Sequence, residues 1–299
     1  MDNLAILAQA PVFNLQLLVD GVLIGALFAL AAFGMALVWG VLRIINIAQG
    51  EFVMLGGYVV VYAAAAGVPP LAAVPLAALA LYVLGWLLYR AVIWRVVDQD
   101  LFVSVLATFG LSILLQQLAN QLFGANVRSV DPGLGTLLLV DGSISVPYVK
   151  LVAFAASLAL GVALVLFLKR SRLGQAIRAT AQNARAARIV GVDTDRVFAS
   201  TFALNAAICG AAGALVAMTW VIHPYFGLAY TVRAFMIVVV SGLGNLAGIV
   251  AWGAGLGVAE QYAGFLLGAQ FQTAFVFGLL VVILVARQLA LHRRRMVLR

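Results

Sequence analysis

The sequence predicts an all-α protein that crosses a bilayer many times, a polytopic helical bundle with eight or nine membrane helices, some short or broken. Three observations predict it. Only 9% of the 299 residues are charged and 65% are hydrophobic, whereas a soluble domain carries about a quarter charged residues. The charges are also segregated: residues 21–42, 52–89, 101–127, 151–168, 197–232, 234–259 and 261–286 contain no Asp, Glu, Lys or Arg, and about 20 apolar residues make one helical crossing. Strand alternation is missing from these stretches, and an open sheet edge in hydrocarbon would leave its backbone unpaired. A soluble enzyme, a nucleic-acid binder and a disordered chain are excluded on the same grounds.

The N-terminal segment MDNLAILAQAPVF has no basic start, so the first hydrophobic segment is expected to be retained rather than cleaved as a leader. Residues 52–89 hold two crossings split at Gly67-Val-Pro-Pro70, where glycine and proline end one helix and open the next. Segment 124–147 contains Asp131-Pro-Gly133, the apolar run Thr136–Val140 and Asp141-Gly142. It reads as an external loop with a small hairpin, a connection rather than a partner surface. Residues 197–232 form one helix to about Trp220, followed by a loop at His223-Pro-Tyr-Phe-Gly227.

The stretch 234–259 is interrupted by Ser241-Gly-Leu-Gly-Asn-Leu-Ala-Gly248, either a kink in one crossing or a turn between two short helices. The preference for positive charge on the cytoplasmic side arbitrates. If segment 169–196 and the basic tail 288–299 both lie inside, an odd number of crossings must separate loop 221–231 from the tail, which favours two short helices. The N-terminus is then periplasmic and the C-terminus cytoplasmic. Of the eighteen Lys and Arg, only Arg128, Lys150 and Arg233 fall outside. The net charge of +8 is thus an orientation signal rather than a nucleic-acid patch, and residues 1–299 form a single transmembrane domain.

The densest polar feature is Arg43-Ile-Ile-Asn-Ile-Ala-Gln-Gly-Glu-Phe-Val-Met-Leu-Gly-Gly-Tyr58, which sets Asn46, Gln49 and Glu51 between two helices. Irregular backbone at membrane depth survives only when buried in protein or lining a wet cavity. The segment is therefore either re-entrant at a solute path, or a cytoplasmic turn in which Asn and Glu cap the next helix. A polar ladder, Ser104, Thr108, Ser112, Gln116 and Asn120, winds slowly round the following helix. Ser104 and Ser112 read as interhelical glue, and Gln116 as a path residue because its amide needs partners. Asn205 is open between an interhelical bond and the path. Arg233 reads as an interfacial anchor beside Tyr225 and Tyr230, and Glu260 as solvated near an outer helix end. Gly21/Gly25 and Gly253/Gly257 are pairs that permit close helix crossing.

From Gln175 to Gly191 the chain is alanine-rich and reads as one helix ended by Gly191. Arg178, Arg185 and Arg188 would share one face of it, suited to anionic headgroups. The single cysteine and two histidines rule out a disulfide framework and suggest no metal site. No GxxxxGK[ST] occurs, so the chain has no P-loop of its own, and no nucleophile–base arrangement argues for an enzyme.

The run Gly21-Val-Leu-Ile-Gly-Ala-Leu-Phe-Ala-Leu30 through Gly34, Gly40 and Ile45–Tyr58 resembles the permeases of branched-chain (hydrophobic) amino-acid ABC transporters, and more closely the first of their two paired permeases. The resemblance continues through Ala107-Thr-Phe-Gly-Leu-Ser112, the segment Leu173–Gly191 and Gly242-Leu-Gly-Asn-Leu-Ala-Gly248, covering nearly the whole chain. Members commonly show histidine where this chain has Gln49, a departure that removes a titratable group. The resemblance implies a transport subunit in a bacterial inner membrane. Its implied partners are a homologous second permease, two ATPase subunits that carry ATP and Mg, and a periplasmic substrate-binding protein, with no cofactor in this chain. It also makes 169–196 the coupling segment seated on an ATPase, with Arg178, Ala184, Arg185, Arg188 and Gly191 at or near the contact. Asn46, Gln49, Glu51, Gln116, Ser241 and Asn245 are the expected lining of the path. The alternatives are an ion-coupled secondary transporter acting alone, a structural scaffold, or an ABC permease for an amide, urea or aromatic acid.

Overall fold

The structure, a computed structural model, describes residues 3, 7, 9–139, 143–242 and 244–297; the side chains of 287 and 290–297 are not described. The expectations on the N-terminal leader, Asp141-Gly142, Leu243 and the basic side chains of the tail therefore lie largely outside the described residues. Eleven α-helices of six or more residues occur among the described residues: α1 Pro11–Leu42, α2 Gln49–Ala65, α3 Ala73–Ala91, α4 Leu101–Phe123, α5 Tyr148–Arg170, α6 Arg172–Gln182, α7 Ala184–Ile189, α8 Thr194–Thr219, α9 Gly227–Ser241, α10 Leu246–Leu267 and α11 Gln272–Val297. A two-stranded hairpin, β1 Thr136–Leu139 and β2 Ile144–Pro147, precedes α5. Six segments are long and apolar enough to span a bilayer, built on α1, α3, α4, α5, α8 and α11.

Helices α1 and α8 form the centre, buried along most of their length, while α3, α4 and α5 surround them. A helix apolar on every side belongs inside a bundle, and α1 is such a helix: Ile24–Val38 is buried without a break. Small residues let its neighbours approach closely. Gly25 lies against Gly253, and Gly257 against Gly21, so the two glycine pairs read from the sequence are the crossing of α1 and α10. A Cβ at Gly257 would come within 2.7 Å of the Gly25 nitrogen.

The breaks fall where the sequence places them. Gly67 takes φ +87° between α2 and α3, and Gly242 and Gly244 take φ +81° and +85° between α9 and α10. The glycine-rich stretch thus divides 234–259 into two helices rather than kinking one. At the hairpin end, Gln16 acts as a third strand, donating to Ser145 O at 3.0 Å and accepting from Ser145 N at 2.9 Å. Lys150 donates to Asp20 at 2.6 Å, fastening α5 to α1 there. The loop after α4 is stitched to the loop after α8 by paired bonds between Arg128 and Ile222.

One expectation about the helices fails. The single helix from Gln175 to Gly191 is two helices, because Asn183 is extended (φ −156°, ψ 101°) and its side chain accepts from Ala186 N at 3.0 Å. An asparagine that caps the next helix competes with helix continuation, so Arg178 on α6 no longer shares a helical face with Arg185 and Arg188 on α7.

Gly257→Ala is expected to destabilise the folded protein by about 1–3 kcal/mol through overpacking of the α1–α10 crossing. Gly255, with open space around it, is the control: Gly255→Ala leaves thermal unfolding in detergent unchanged or slightly raises its midpoint.

Candidate functional site

The helix α1 ends at Arg43, whose φ of +57° is the left-handed turn usually given to glycine. Residues 44–48 then lie outside any helix, yet Ile44, Asn46 and Ala48 are buried. The chain runs back into the protein: Gln49 Nε2 donates to Ala31 O at 2.9 Å and to Cys209 Sγ at 2.9 Å. The start of α2 therefore lies level with the middle of α1 and α8, so the segment turns back into the bundle rather than forming a surface turn.

Two threonines take the place of the missing ladder. Ile47 N donates to Thr108 Oγ1 at 3.2 Å, and that hydroxyl lies 3.0 Å from Ile45 O and 2.9 Å from Ser104 O of its own helix. Gly50 N donates to Thr231 Oγ1 at 2.8 Å, and Thr231 donates to Ile47 O at 2.9 Å. Helix α9 also starts inside the protein. Its first residue, Gly227, lies against Gly50, with backbone meeting backbone. Glu51 sits in the first turn of α2, accepts from Ser112 Oγ at 3.0 Å, and turns Oε2 toward Gly227. The first turns of α2 and α9 thus meet at this carboxyl group.

Asn46, Gln49 and Glu51 come together in this centre, each fully buried. Among the described residues, both polar atoms of Asn46, Gln49 Oε1, Glu51 Oε2 and Asn205 Nδ2 have no hydrogen-bond partner. Gln116 lies one turn beyond Ser112 on α4, half-buried, and its amide makes no hydrogen bond within the protein among the described residues. Ser241 and Asn245 are elsewhere, at the joint between α9 and α10. Asn245 accepts from Gly248 N at 2.9 Å as the cap of α10, and Ser241 Oγ bonds back to Val238 O at 3.3 Å. Of the ladder, Ser112 joins α4 to α2 and Thr108 joins α4 to the non-helical segment, whereas Ser104 bonds to Leu101 O of its own helix.

Thr231 and Cys209 were not among the residues singled out for the site. Thr231 is one turn past Gly227, and its partners are backbone groups far away in the chain, which nothing in the sequence around it reveals. Arg233 and Glu260 differ from expectation: Arg233 is not an exposed anchor and Glu260 is not solvated. They pair with each other, with side chains 12% and 7% exposed, through two hydrogen bonds.

On the opposite side of the fold from the hairpin, α6 and α7 form an elbow. Arg178, Arg185, Arg188 and Gly191 are exposed there, and Ala184 is half-buried. Arg188 donates to Thr194 Oγ1 at 2.9 and 3.0 Å, and Ile189 and Val190 project with 81% and 78% exposure.

Thr231→Val removes the partner of Gly50 N and Ile47 O, and each buried group left unpaired costs about 1–3 kcal/mol. A lower unfolding midpoint is expected for Thr231→Val and near-native behaviour for Thr231→Ser, measured on the purified protein in detergent.

Comparison with known proteins adds identity to this geometry. Residues 17–285 match the family described as branched-chain amino acid transport system / permease component. The chain is 30% identical over 287 residues to the high-affinity branched-chain amino acid transport system permease protein BraD of Pseudomonas aeruginosa, covering 91% of this chain and 94% of that protein. It is 30% identical over 293 residues to the LivH permease protein of the same kind of system in Escherichia coli, covering 93% and 95%. A probable LivH of Methanocaldococcus jannaschii is 23% identical over 90% of this chain and 88% of its own length. No solved structure matches. With the match spanning both the re-entrant centre and the α6–α7 elbow, this multi-pass membrane protein belongs to the family of branched-chain amino acid transport permeases.

Proposed function

We propose that this chain, in a bacterial inner membrane, forms the translocation pathway of an ATP-binding-cassette importer for branched-chain or other hydrophobic amino acids. The carrying observation is the polar centre where α2 and α9 begin: Asn46, Gln49 and Glu51 hold unpaired polar atoms in the middle of the bundle, in a chain whose relatives are named amino-acid transport permeases. In the present conformation the centre is closed, so passage requires the bundle to open beside it, with Gln116 at its edge. Polar groups that are many and individually weak suit a solute that must leave as readily as it enters. A homologous second permease completes the pathway, and a periplasmic binding protein delivers the solute. The N-terminus is then periplasmic and the C-terminus cytoplasmic, with nine crossings if α2, α9 and α10 each count as one.

Two ATPase subunits, with their ATP and Mg, drive the cycle. The elbow formed by α6 and α7 fits the coupling role: Ile189 and Val190 supply an exposed apolar tip, flanked by Arg185 and Arg188. An apolar tip rimmed by charge is the composition of a docking contact, whereas contact with headgroups would need only the arginines.

The test is reconstitution of the whole assembly in proteoliposomes. ATP-driven leucine uptake is expected, and Arg185→Glu with Arg188→Glu lowers it about tenfold or more by weakening ATPase capture while the permease keeps its unfolding midpoint. Uptake by this chain alone under an ion gradient would overturn the reading in favour of a secondary transporter.

A further inference from the structure

Beside the polar centre the bundle holds a second polar site, in a cavity of about 250 Å³ between α1, α9 and α10. Phe28, Trp220, Phe226 and Tyr230 form its aromatic wall. Arg233, Glu260, Gln261 and Gln272 supply its polar groups. The Arg233 guanidinium lies over the rings of Phe28 and Tyr230, at 4.9 and 5.2 Å from their centroids.

The polar groups here are incompletely used. Arg233 commits Nε, at 3.0 Å, and Nη2 to Glu260, and among the described residues Nη1 has no protein acceptor. The amides of Gln261 and Gln272 also make no hydrogen bond to the protein among the described residues. A purely structural ion pair needs no cavity beside it, nor half-buried amides whose polar atoms are turned to no protein partner. Packed apolar residues commonly stabilise a fold as well as a buried ion pair does.

We propose that this cavity is a binding site for a zwitterionic α-amino acid with an apolar side chain; the inference rests on the amino-acid transport reading above. The solute's carboxylate meets Arg233 Nη1, its ammonium meets Glu260 with the Gln261 and Gln272 carbonyl oxygens, and its side chain packs on Phe28, Trp220 and Phe226. Charge selects the class. A lone carboxylate would lie against Glu260, and a lone ammonium against Arg233, in a setting where like charges repel strongly. A zwitterion adds no net charge. Because Arg233 and Glu260 already satisfy each other, the solute gains little by joining them, which keeps binding weak and release fast.

The test uses the complete transporter in nanodiscs without its binding protein, with ligand binding read by equilibrium dialysis. The probes are leucine, leucinamide, which lacks the carboxylate, and 4-methylpentanoate, which lacks the ammonium. Leucine is expected to bind about tenfold or more tightly than either. Glu260→Gln keeps an acceptor for Arg233 and is expected to shift the preference toward 4-methylpentanoate by about tenfold, a change of order that a structural role would not produce. Gln261→Leu and Gln272→Leu remove no protein hydrogen bond, so they test the site even if Glu260→Gln fails to assemble; both are expected to weaken leucine binding. Equal binding of the three probes, no leucine binding, an unchanged order in Glu260→Gln, or full leucine binding by both Gln variants would each overturn the site. ATP-driven leucine import with no binding here would overturn the site alone. The expected probe order without import would overturn the transport reading and leave the site standing.

Discussion

The fold depends on how the backbone is paired where the helices stop. Hydrocarbon supplies no water, so a segment outside a helix must find its hydrogen bonds within the protein. Ile45, Ile47 and Gly50 find theirs on Thr108 and Thr231, whose hydroxyls each touch two separate backbone groups of the 45–50 stretch. That substitution allows α2 to begin in mid-bundle. Its 17 residues then reach about 26 Å, and the 15 of α9 about 22 Å, at 1.5 Å per residue. Both fall short of a full hydrocarbon core, as helices that start inside it must. The Gly50–Gly227 contact follows, since only backbones without side chains can meet where two helix starts converge.

This arrangement sets a carboxyl group in a place that ordinarily rejects one. Among the described residues Glu51 has no cation beside it; its one hydrogen bond comes from the Ser112 hydroxyl, and the first turns of α2 and α9 lie against it. Around it, Asn46, Gln49 and Asn205 keep unpaired atoms, each costing about 1–3 kcal/mol relative to a hydrated partner. A closed centre with this composition is stabilised by its apolar surroundings and destabilised by its own polar atoms. Admission of water or solute relieves the second term, so the same residues that strain the closed form favour an open one.

The parts of this architecture legible in the sequence are those governed by local chemistry. Gly67, Gly242 and Gly244 occupy positive-φ joints because few other residues tolerate them, and the pairs Gly21/Gly25 and Gly253/Gly257 meet because small residues mark close crossings. Asn46, Gln49 and Glu51 stood out as polar residues between apolar runs. What could not be read is pairing across the chain. Thr231 serves a backbone carbonyl at Ile47, and no feature around either residue names the other. Arg233 and Glu260 look like two separate boundary charges until α9 and α10 bring them together. Asn183 was hidden differently: the alanine-rich run around it argues for continuous helix, and one side-chain cap overrides that propensity.

Helix α9 links the two polar sites, and its geometry makes the link mechanical. Thr231 and Arg233 are two residues apart, which is about 200° around a helix, so one side of α9 holds the re-entrant segment while the other holds the cavity. The start of α9 is pinned by the Gly50–Gly227 contact and the Thr231 hydrogen bonds. Its far end runs into two glycines at positive φ, the kind of short joint that absorbs a rotation without disturbing the helices on either side. A tilt of α9 about that joint would separate Gly227 from Gly50 and at the same time shift Arg233 relative to Glu260 on α10. If the centre opens in this way, as the proposed transport role requires, the ion pair is loosened by the same movement, because both contacts are carried by one helix.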